Sequence, residues 1–227
     1  MNVDDYIKLI ASLSVDLKKA RAFQINLSKE VILAEIDPVI RTIAGIDVSY
    51  RGNEGFVGAV VVDLNSSKII KEYTARCIVT CDYIPTFLFL RELPPLLKIF
   101  NVLKHVDCFF IDGHGLAHPY YAGLAVMFGV ITNKCTVGVA KSPLKGFKLY
   151  STTIGGKYEQ ILLNNKLVGI ALRSTPHHKT IFVSPGHKAS IISSLRLVEK
   201  MLRKDKRLPI PLHYAHIVAE RFKQRSS

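Results

Sequence analysis

Acidic side chains are scarce in this chain of 227 residues: 18 Asp and Glu stand against 31 Lys and Arg, a formal net charge of +13. A folded chain so short of negative charge points to a polyanionic partner, either nucleic acid or an anionic membrane surface. Cysteine is sparse as well. The four, at 77, 81, 108 and 135, make no disulfide framework in a chain of this length. Cys108 and Cys135 lie in apolar stretches and read as small buried hydrophobes. Cys77 and Cys81 have no second pair or nearby His to complete a zinc set, so all four are expected as free thiols in a reducing cytoplasm. Low hydrophobicity, the signature of disorder, is absent too: 48% of the residues are hydrophobic, enough for a sizeable core.

Long apolar runs are also missing. The stretch from Gly113 to Asn133 lacks Lys, Arg, Asp and Glu, but His114, His118, Pro119 and several glycines interrupt it. A spanning helix needs about 20 mostly apolar residues, so this stretch reads as a buried segment beside a site, not a membrane span. The opening Met1-Asn2-Val3-Asp4-Asp5 is acidic, which sets the expectation of no secretory signal and a cytoplasmic location. No internal repeat and no Pro/Gly/Ser linker divides the chain. One domain over residues 1–227 is expected, with a helical segment over 1–35 packed on it.

Periodicity supplies the elements. Val3, Tyr6, Ile7, Ile10, Leu13 and Leu17 recur at helical intervals and predict one opening helix, with Asp4 and Asp5 in its first turn and Lys18 and Lys19 near its end. Strand patterns follow over Thr42–Tyr50, Phe56–Leu64 and Lys68–Thr80, with a turn at 51–55 joining the first two. A helix is predicted from Pro85 to Phe100, strained midway by Pro94 and Pro95. Beyond it come strands over Val106–Ile111, Thr136–Ala140, Phe147–Ile154, Lys166–Arg173 and Thr180–Val183, and helices over Ala122–Phe128, Ala189–Arg203 and Leu212–Gln224. Antiparallel strands first, then strands alternating with helices, indicate an α/β fold with a mixed sheet flanked by helices.

In a chain so poor in acids, the places that keep them are informative. Asp47 interrupts the apolar run Ile43-Ala44-Gly45-Ile46-Asp47-Val48, and Asp112 ends Cys108-Phe109-Phe110-Ile111-Asp112. An ionised carboxylate at the edge of a buried strand is costly unless it is paired or binds a cation. With Glu92 on the helix between them in sequence, three carboxylates converging at the mouth of the sheet suit Mg²⁺, an ion that takes oxygen ligands and keeps several waters. The bland reading of each acid is a salt bridge or a cap. The segment Asp112-Gly113-His114-Gly115-Leu116-Ala117-His118-Pro119 reads as a loop lining a site: its two His have zinc-helix spacing, but no Glu follows the first and Gly and Pro oppose a helix. Tyr83-Ile84-Pro85 forms a stiff apolar tip, either a staple at a helix start or a wedge between stacked bases. Ser184-Pro185-Gly186-His187 is expected to open a helix, as an anion site or a plain cap. The basic run Lys200–Arg207 reads as a solvated face.

Taken together, these segments resemble the endonuclease V family, which nicks nucleic acid beside deaminated purine. The resemblance rests on Ala44-Gly45-Ile46-Asp47-Val48-Ser49, Tyr83-Ile84-Pro85 followed by Phe89-Leu90-Arg91-Glu92, Asp112 through Pro119, Gly138-Val139-Ala140-Lys141-Ser142, and Ser184-Pro185-Gly186-His187. It spans about residues 40 to 220, and order and spacing make the combination specific. It implies an RNase H-like fold and Mg²⁺-dependent phosphodiester hydrolysis, with Mn²⁺ as a substitute ion. The cut implied lies on the 3′ side of deoxyinosine in DNA, at the second phosphodiester bond. Carried over by position, Asp47, Glu92 and Asp112 are implied metal ligands. Lys141 and His216 are implied members of the catalytic centre. Tyr83, Ile84 and Pro85 are the implied wedge, and Gly113, His118 and Gly123 the region receiving a flipped base. The chain departs from the family pattern at Asp82 and Thr86, where Pro and Gly are usual, and at Tyr120 and Tyr121, where Arg is usual after His-Pro. The expected partner is DNA containing deaminated bases, with no membrane and a monomeric protein. The alternatives are an inosine-specific endoribonuclease of the same family and a non-catalytic nucleic-acid-binding protein.

Overall fold

Strand alternation in the middle of the chain builds two cores, one on each face of a sheet. The computed structural model describes every residue except 80, 145–147, 152–155, 174, 176 and 227, and describes 150 and 151 by their backbone. In chain order the elements are α1 (Val3–Leu13), α2 (Leu17–Ser28), β1 (Thr42–Arg51), β2 (Glu54–Asp63), β3 (Ile69–Ile78), α3 (Leu88–Leu103), β4 (Cys108–Asp112), α4 (Leu124–Thr132), β5 (Cys135–Ala140), β6 (Lys148–Ser151), β7 (Tyr158–Leu163), β8 (Lys166–Leu172), β9 (Ile181–Pro185), α5 (Ile191–Met201) and α6 (Ile210–Arg225). The sheet runs β3-β2-β1-β4-β5-β9-β8-β7-β6. It is mixed: β1 pairs parallel with β4, and β4 with β5, while the other pairs are antiparallel.

On β4, Phe109 and Ile111 join one core, and Cys108 and Phe110 the other. Successive strand residues point to opposite faces, so a strand apolar on both faces belongs in the middle of the sheet. The first core also takes Ile10 of α1, Ala20 and Leu27 of α2, Leu93 and Leu97 of α3, and Phe128 of α4. The second takes Leu197 and Val198 of α5, and Leu212, Ala215 and Val218 of α6.

Two devices fix where the central strands end. At the start of β1, Asp107 Oδ2 accepts from the Arg41 and Thr42 amides, each at 2.9 Å, and from the Thr42 hydroxyl at 2.8 Å. That clamp locks the parallel register Ile43↔Cys108 through Ile46↔Ile111, and one step further along it sets Asp47 beside Asp112. The second device is α6. A Cβ on Gly45 would lie 2.2 Å from the Pro211 carbonyl carbon, and one on Gly58 would lie 2.5 Å from both Ala215 O and Ala219 N. Only hydrogen at these two positions lets the helix lie against the sheet backbone.

The structure departs from the sequence expectations at several places. The opening helix is two helices: α1 stops at Leu13, and Asp16 caps α2 by accepting from the Lys18 and Lys19 amides, each at 3.1 Å. Lys18 and Lys19 therefore start a helix instead of ending one. Helix α3 begins at Leu88, because Pro85 and Thr86 form a turn, and it runs through Pro94 and Pro95 without a break. Strand β7 was not expected; Asn164 and Asn165, both at positive φ, turn it into β8. Of the strand expected over Phe147–Ile154, Lys148–Ser151 is described and forms β6, while 147 and 152–154 lie outside the described residues, as does Thr80 at the end of another. Ser184-Pro185-Gly186-His187 opens no helix. The helix start belongs to Ser190, which caps α5. The Gly186 and His187 amides instead donate to Thr136 O and Oγ1, each at 2.8 Å, bracing the end of β9 against β5. Among the described residues no helix is long and apolar enough to cross a membrane.

Candidate active site

Asp47 and Asp112 stand at the same end of the sheet because the β1–β4 register puts them there. Asp47 continues the alternation of Ile43 and Gly45 toward α6, and Asp112 that of Cys108 and Phe110. Each carboxylate has met a basic side chain. His216, on α6, donates from Nδ1 to Asp47 Oδ2 at 2.7 Å. Lys141, just beyond β5, places Nζ 2.5 Å from Asp112 Oδ2. One turn further along α6, Glu220 accepts from the Ser49 hydroxyl at 2.5 Å, a second tie between α6 and β1. Glu92 arrives on α3, whose apolar side packs into the core of the other face.

Glu92 and Asp112 both feel the neighbouring carboxylates. Burial pushes the Glu92 carboxyl up to about 8, and the negative charges of Asp112 and Asp47 add to the rise. Asp112 is also raised, by burial first and Asp47 second, although Lys141 pulls the other way. The Asp47 hydrogen bond raises His216, outweighing its partial burial. For Lys141, burial works against the charge, but the Asp112 carboxylate more than offsets it and the ammonium is held charged. The Tyr50 hydroxyl, three residues along β1 from Asp47, is buried without a hydrogen-bond partner among the described residues. Burial and then Glu92 hold it in the neutral form.

This donor set fits a hard divalent cation. Crowded carboxylates with raised proton affinity are sites where a positive ion can replace protons, and the set is rich in oxygen. Among the described residues no three His, Cys, Asp or Glu side chains form a ready-made coordination shell. As they stand, Asp47 is turned to His216 and Asp112 to the Lys141 ammonium.

Next to these acids lies a small pocket, about 60 Å³ inside and wider at its open mouth. Tyr83, Thr86 and Phe89 form one wall, and Gly113, His118 and Gly123 the other. The second wall folds tightly on itself: a Cβ on Gly123 would lie 2.2 Å from His114 O. His114 and His118 do not share a helix, as the loop reading expects; His114 donates from Nε2 to Ser142 O at 3.0 Å. Burial lowers both imidazoles to about 4, and for His118 the Arg21 cation adds to the effect, so both are neutral near pH 7.

The residues expected as a wedge sit at the rim. Tyr83 is 60% exposed, Pro85 is exposed, and Ile84 is partly buried and packs on the core. The Phe87 amide donates to Ile84 O at 2.9 Å, closing a turn with Pro85 second and Thr86 third. Thr86 has φ +67. That is the glycine position of a type II turn, and a β-branched residue there costs on the order of 1–3 kcal/mol.

Two residues that sequence reading did not single out hold this turn. Arg21, on α2, donates from Nη2 to Thr86 Oγ1 at 2.6 Å. Gln24, one turn on and 2% exposed, donates from Nε2 to Thr86 O at 3.2 Å and to Ala122 O at 2.9 Å. The guanidinium of Arg21 lies 3.9 Å from the centre of the Phe87 ring and 3.8 Å from that of Tyr120. The departures at 86 and 120 therefore share one partner. No local pattern flags such residues, because their partners are 62 to 98 positions away. The basic run near residue 200 is likewise more than a solvated face: Arg207 donates to the backbone carbonyls of Lys141 and Thr180, holding the strand exit that carries Lys141.

Residues 25–217 match the family model described as Endonuclease V. The endonuclease V of Xylella fastidiosa (strain Temecula1) is 32% identical, over 99% of this chain and 96% of that protein. The crystal structure of endonuclease V from Streptomyces avermitilis superposes with a TM-score of 0.83 at 31% identity, covering 92% of this chain and 94% of that one. The Ciona intestinalis endonuclease V, crystallised with a 24mer DNA containing an inosine followed by a ribo-adenosine, shares the fold. Its TM-score is 0.84 at 24% identity, covering 93% of this chain and 99% of that one. The α/β architecture with its mixed sheet is RNase H-like, as expected.

Proposed function

The chain belongs to the endonuclease V family and is a nuclease, and from that premise we propose that it nicks DNA on the 3′ side of deoxyinosine, at the second phosphodiester bond, using Mg²⁺. The observation that carries this reading is the juxtaposition of Asp47, Glu92 and Asp112, in which the negative charges of the two aspartates raise the proton affinity of Glu92, with an apolar pocket beside them. Asp47, Glu92 and Asp112 would hold the ion; Mn²⁺ fits the same oxygen set. When bound, the ion supplies a water of lowered pKa and positive charge against the leaving oxygen.

The chain's own residues supply the rest. Lys141 keeps its ammonium charged at the end of β5, where it can meet a phosphate oxygen. His216, its Nδ1 held by Asp47 and its ring half exposed, can hold and pass a proton at the other nitrogen. Tyr83, Ile84 and Pro85 would part the stack, and the walls carrying Gly113, His118 and Gly123 would take the flipped base. His118, neutral, would meet that base as a hydrogen-bonding group and not as a cation. A base already poorly paired, such as inosine, is the easiest to extrude. The +13 charge supplies affinity for the backbone without regard to sequence. All of these residues come from one chain, with residues 1–35 contributing to the pocket through α2, which supports one functional unit over 1–227 acting as a monomer.

Matched strands carrying inosine or guanine, as DNA and as RNA, with Mg²⁺ or with EDTA, test the reading on a sequencing gel. The expected result is a single nick at the second bond 3′ of deoxyinosine, abolished by EDTA. Equal cutting of inosine and guanine strands, or cutting in EDTA, would overturn it. Faster cutting of inosine RNA than of inosine DNA would replace it with a ribonuclease.

A further inference from the structure

We propose that Arg21 is a positioning residue that sets the base selectivity of the pocket, by clamping the Thr86 turn to the loop after β4. The inference rests on the base-pocket reading given above. The pocket has two walls from distant parts of the chain: the turn closing at Phe87, and the loop from Asp112 to Gly123. Among the described residues no strand pairing joins them. What joins them is α2.

Arg21 reaches both walls. Its guanidinium lies between the ring of Phe87, from the first wall, and the ring of Tyr120, from the second. Edge-on it donates to Thr86 Oγ1 at 2.6 Å and to Gln24 Oε1. Gln24, oriented by that contact, repeats the pattern: its amide nitrogen donates to Thr86 O on one wall and to Ala122 O on the other. Thr86, in a left-handed conformation that threonine rarely adopts, is thus held through both its hydroxyl and its carbonyl. Released, it would relax toward an ordinary conformation, and the wall it forms would move.

Wall spacing is what such a pocket can use to choose between bases. Guanine differs from hypoxanthine by one exocyclic amino group, so a pocket fixed at the smaller width excludes the larger base, and a loosened one admits it. A planar cation suits the clamp, since a guanidinium stacks between two rings while its edge donates to two acceptors. An ammonium has no plane to stack.

The test is nicking kinetics on inosine and guanine DNA strands, with strand binding measured in EDTA by fluorescence anisotropy. For Arg21→Ala the KM on the inosine strand should rise about tenfold while kcat falls much less, and the inosine-to-guanine ratio of kcat/KM should drop about tenfold. The inosine-to-guanine affinity ratio in EDTA should drop with it. Arg21→Lys should restore little. Tyr120→Leu, which removes one ring without touching α2, should act in the same direction and guards against a misfolded Arg21 variant. In a Thr86→Gly background, where the left-handed turn needs no holding, the Arg21→Ala effect on selectivity should shrink by threefold or more, as expected for coupled residues, a factor of about three being the lower end of such couplings. A wild-type protein without inosine preference would overturn the substrate reading. A wild type with that preference, fully retained in Arg21→Ala and Tyr120→Leu, would overturn the clamp alone.

Discussion

His216 Nδ1 lies 2.7 Å from Asp47 Oδ2, and the bond exists because α6 rests directly on the backbone of β1 and β2. Gly45 and Gly58 make that approach possible, and Gly58 is paired with Asp47 itself across the β1–β2 ladder. The Asp47–His216 pairing and the helix packing are one geometric fact.

Gly58→Ala tests that link. A methyl at this position would sit 2.5 Å from Ala215 O and Ala219 N, both backbone atoms of α6, so the helix must move. Overpacking of this kind costs about 1–3 kcal/mol. Because His216 shifts with the helix, nicking should fall on the order of 100-fold, the penalty for displacing a catalytic group by an ångström. Urea unfolding and a nicking assay on one preparation read both. A wild-type nicking rate in a destabilised variant would show that the Asp47–His216 contact is not needed.

A pH experiment follows from His118. Burial lowers its pKa from 6.5 to about 4, with the Arg21 cation and the neighbouring His114 ring adding to the shift. Between those values the unfolded chain binds more protons than the folded one, so stability rises with pH across the window and is lost as pH falls from 6.5 to 4. The full shift amounts to roughly 3 kcal/mol by pH 4. In His118→Gln the stability curve from urea unfolding should flatten between pH 4 and 6.5. His114, lowered to a similar value, leaves a residual slope. Parallel acid losses in both proteins would place the sensitive group elsewhere.

Much of the centre was legible because its residues lie in short, chemically odd segments. Asp47 and Asp112 stand out against apolar strands, and strand polarity alone brings them level once the parallel pairing is known. His216 and Lys141 entered only through the resemblance, as members of the centre, and their pairing with Asp47 and Asp112 was not expected, since nothing local in Tyr214-Ala215-His216 indicates which strand α6 crosses. Arg21 and Gln24 were not visible: on α2 they look like ordinary surface and core positions, and their role arises from loops that meet only in the folded chain. The missed β7–β8 hairpin did carry a signal, the Asn164-Asn165 pair, which tolerates the positive φ that a two-residue turn demands. The merged α1 and α2 show the opposite error: the apolar periodicity runs on through Leu17, while Asp16, a good cap, marks the break.

Tyr83 should govern entry of the lesion and not the hydrolytic step. Its ring is 60% exposed at the pocket rim, so little packing is lost on truncation and folding should be untouched. Tyr83→Ala should weaken binding to a duplex containing inosine by about 1–3 kcal/mol, the scale of one aromatic–base stack. Single-stranded substrate, which needs no parting, should lose less. Equal losses on single and double strands, measured by titration at fixed salt, would remove the wedge role.

Asp112 separates an enzyme from a binding module most sharply. Its carboxylate ends β4, beside Asp47, with Lys141 at 2.5 Å. Asp112→Asn keeps the side-chain shape and an oxygen to accept from Lys141, but removes the charge that would hold a divalent ion. Burial and the Asp47 charge already work against the ionised Asp112, so a neutral amide in its place should leave the fold intact. Removing one carboxylate also relieves Glu92, whose proton affinity Asp112 raises. Hydrolysis should therefore drop by several orders of magnitude, because water activation and leaving-group stabilisation both depend on the ion. Binding to inosine DNA should persist or tighten, since one negative charge near the phosphates is gone. A folded, lesion-binding, inactive variant is the expected outcome, read by unfolding, anisotropy and nicking together. If the variant unfolds, Asp112 is a structural partner of Lys141 first. If it cuts at the wild-type rate, the carboxylates do not hold the ion, and the chemistry lies elsewhere in the cleft.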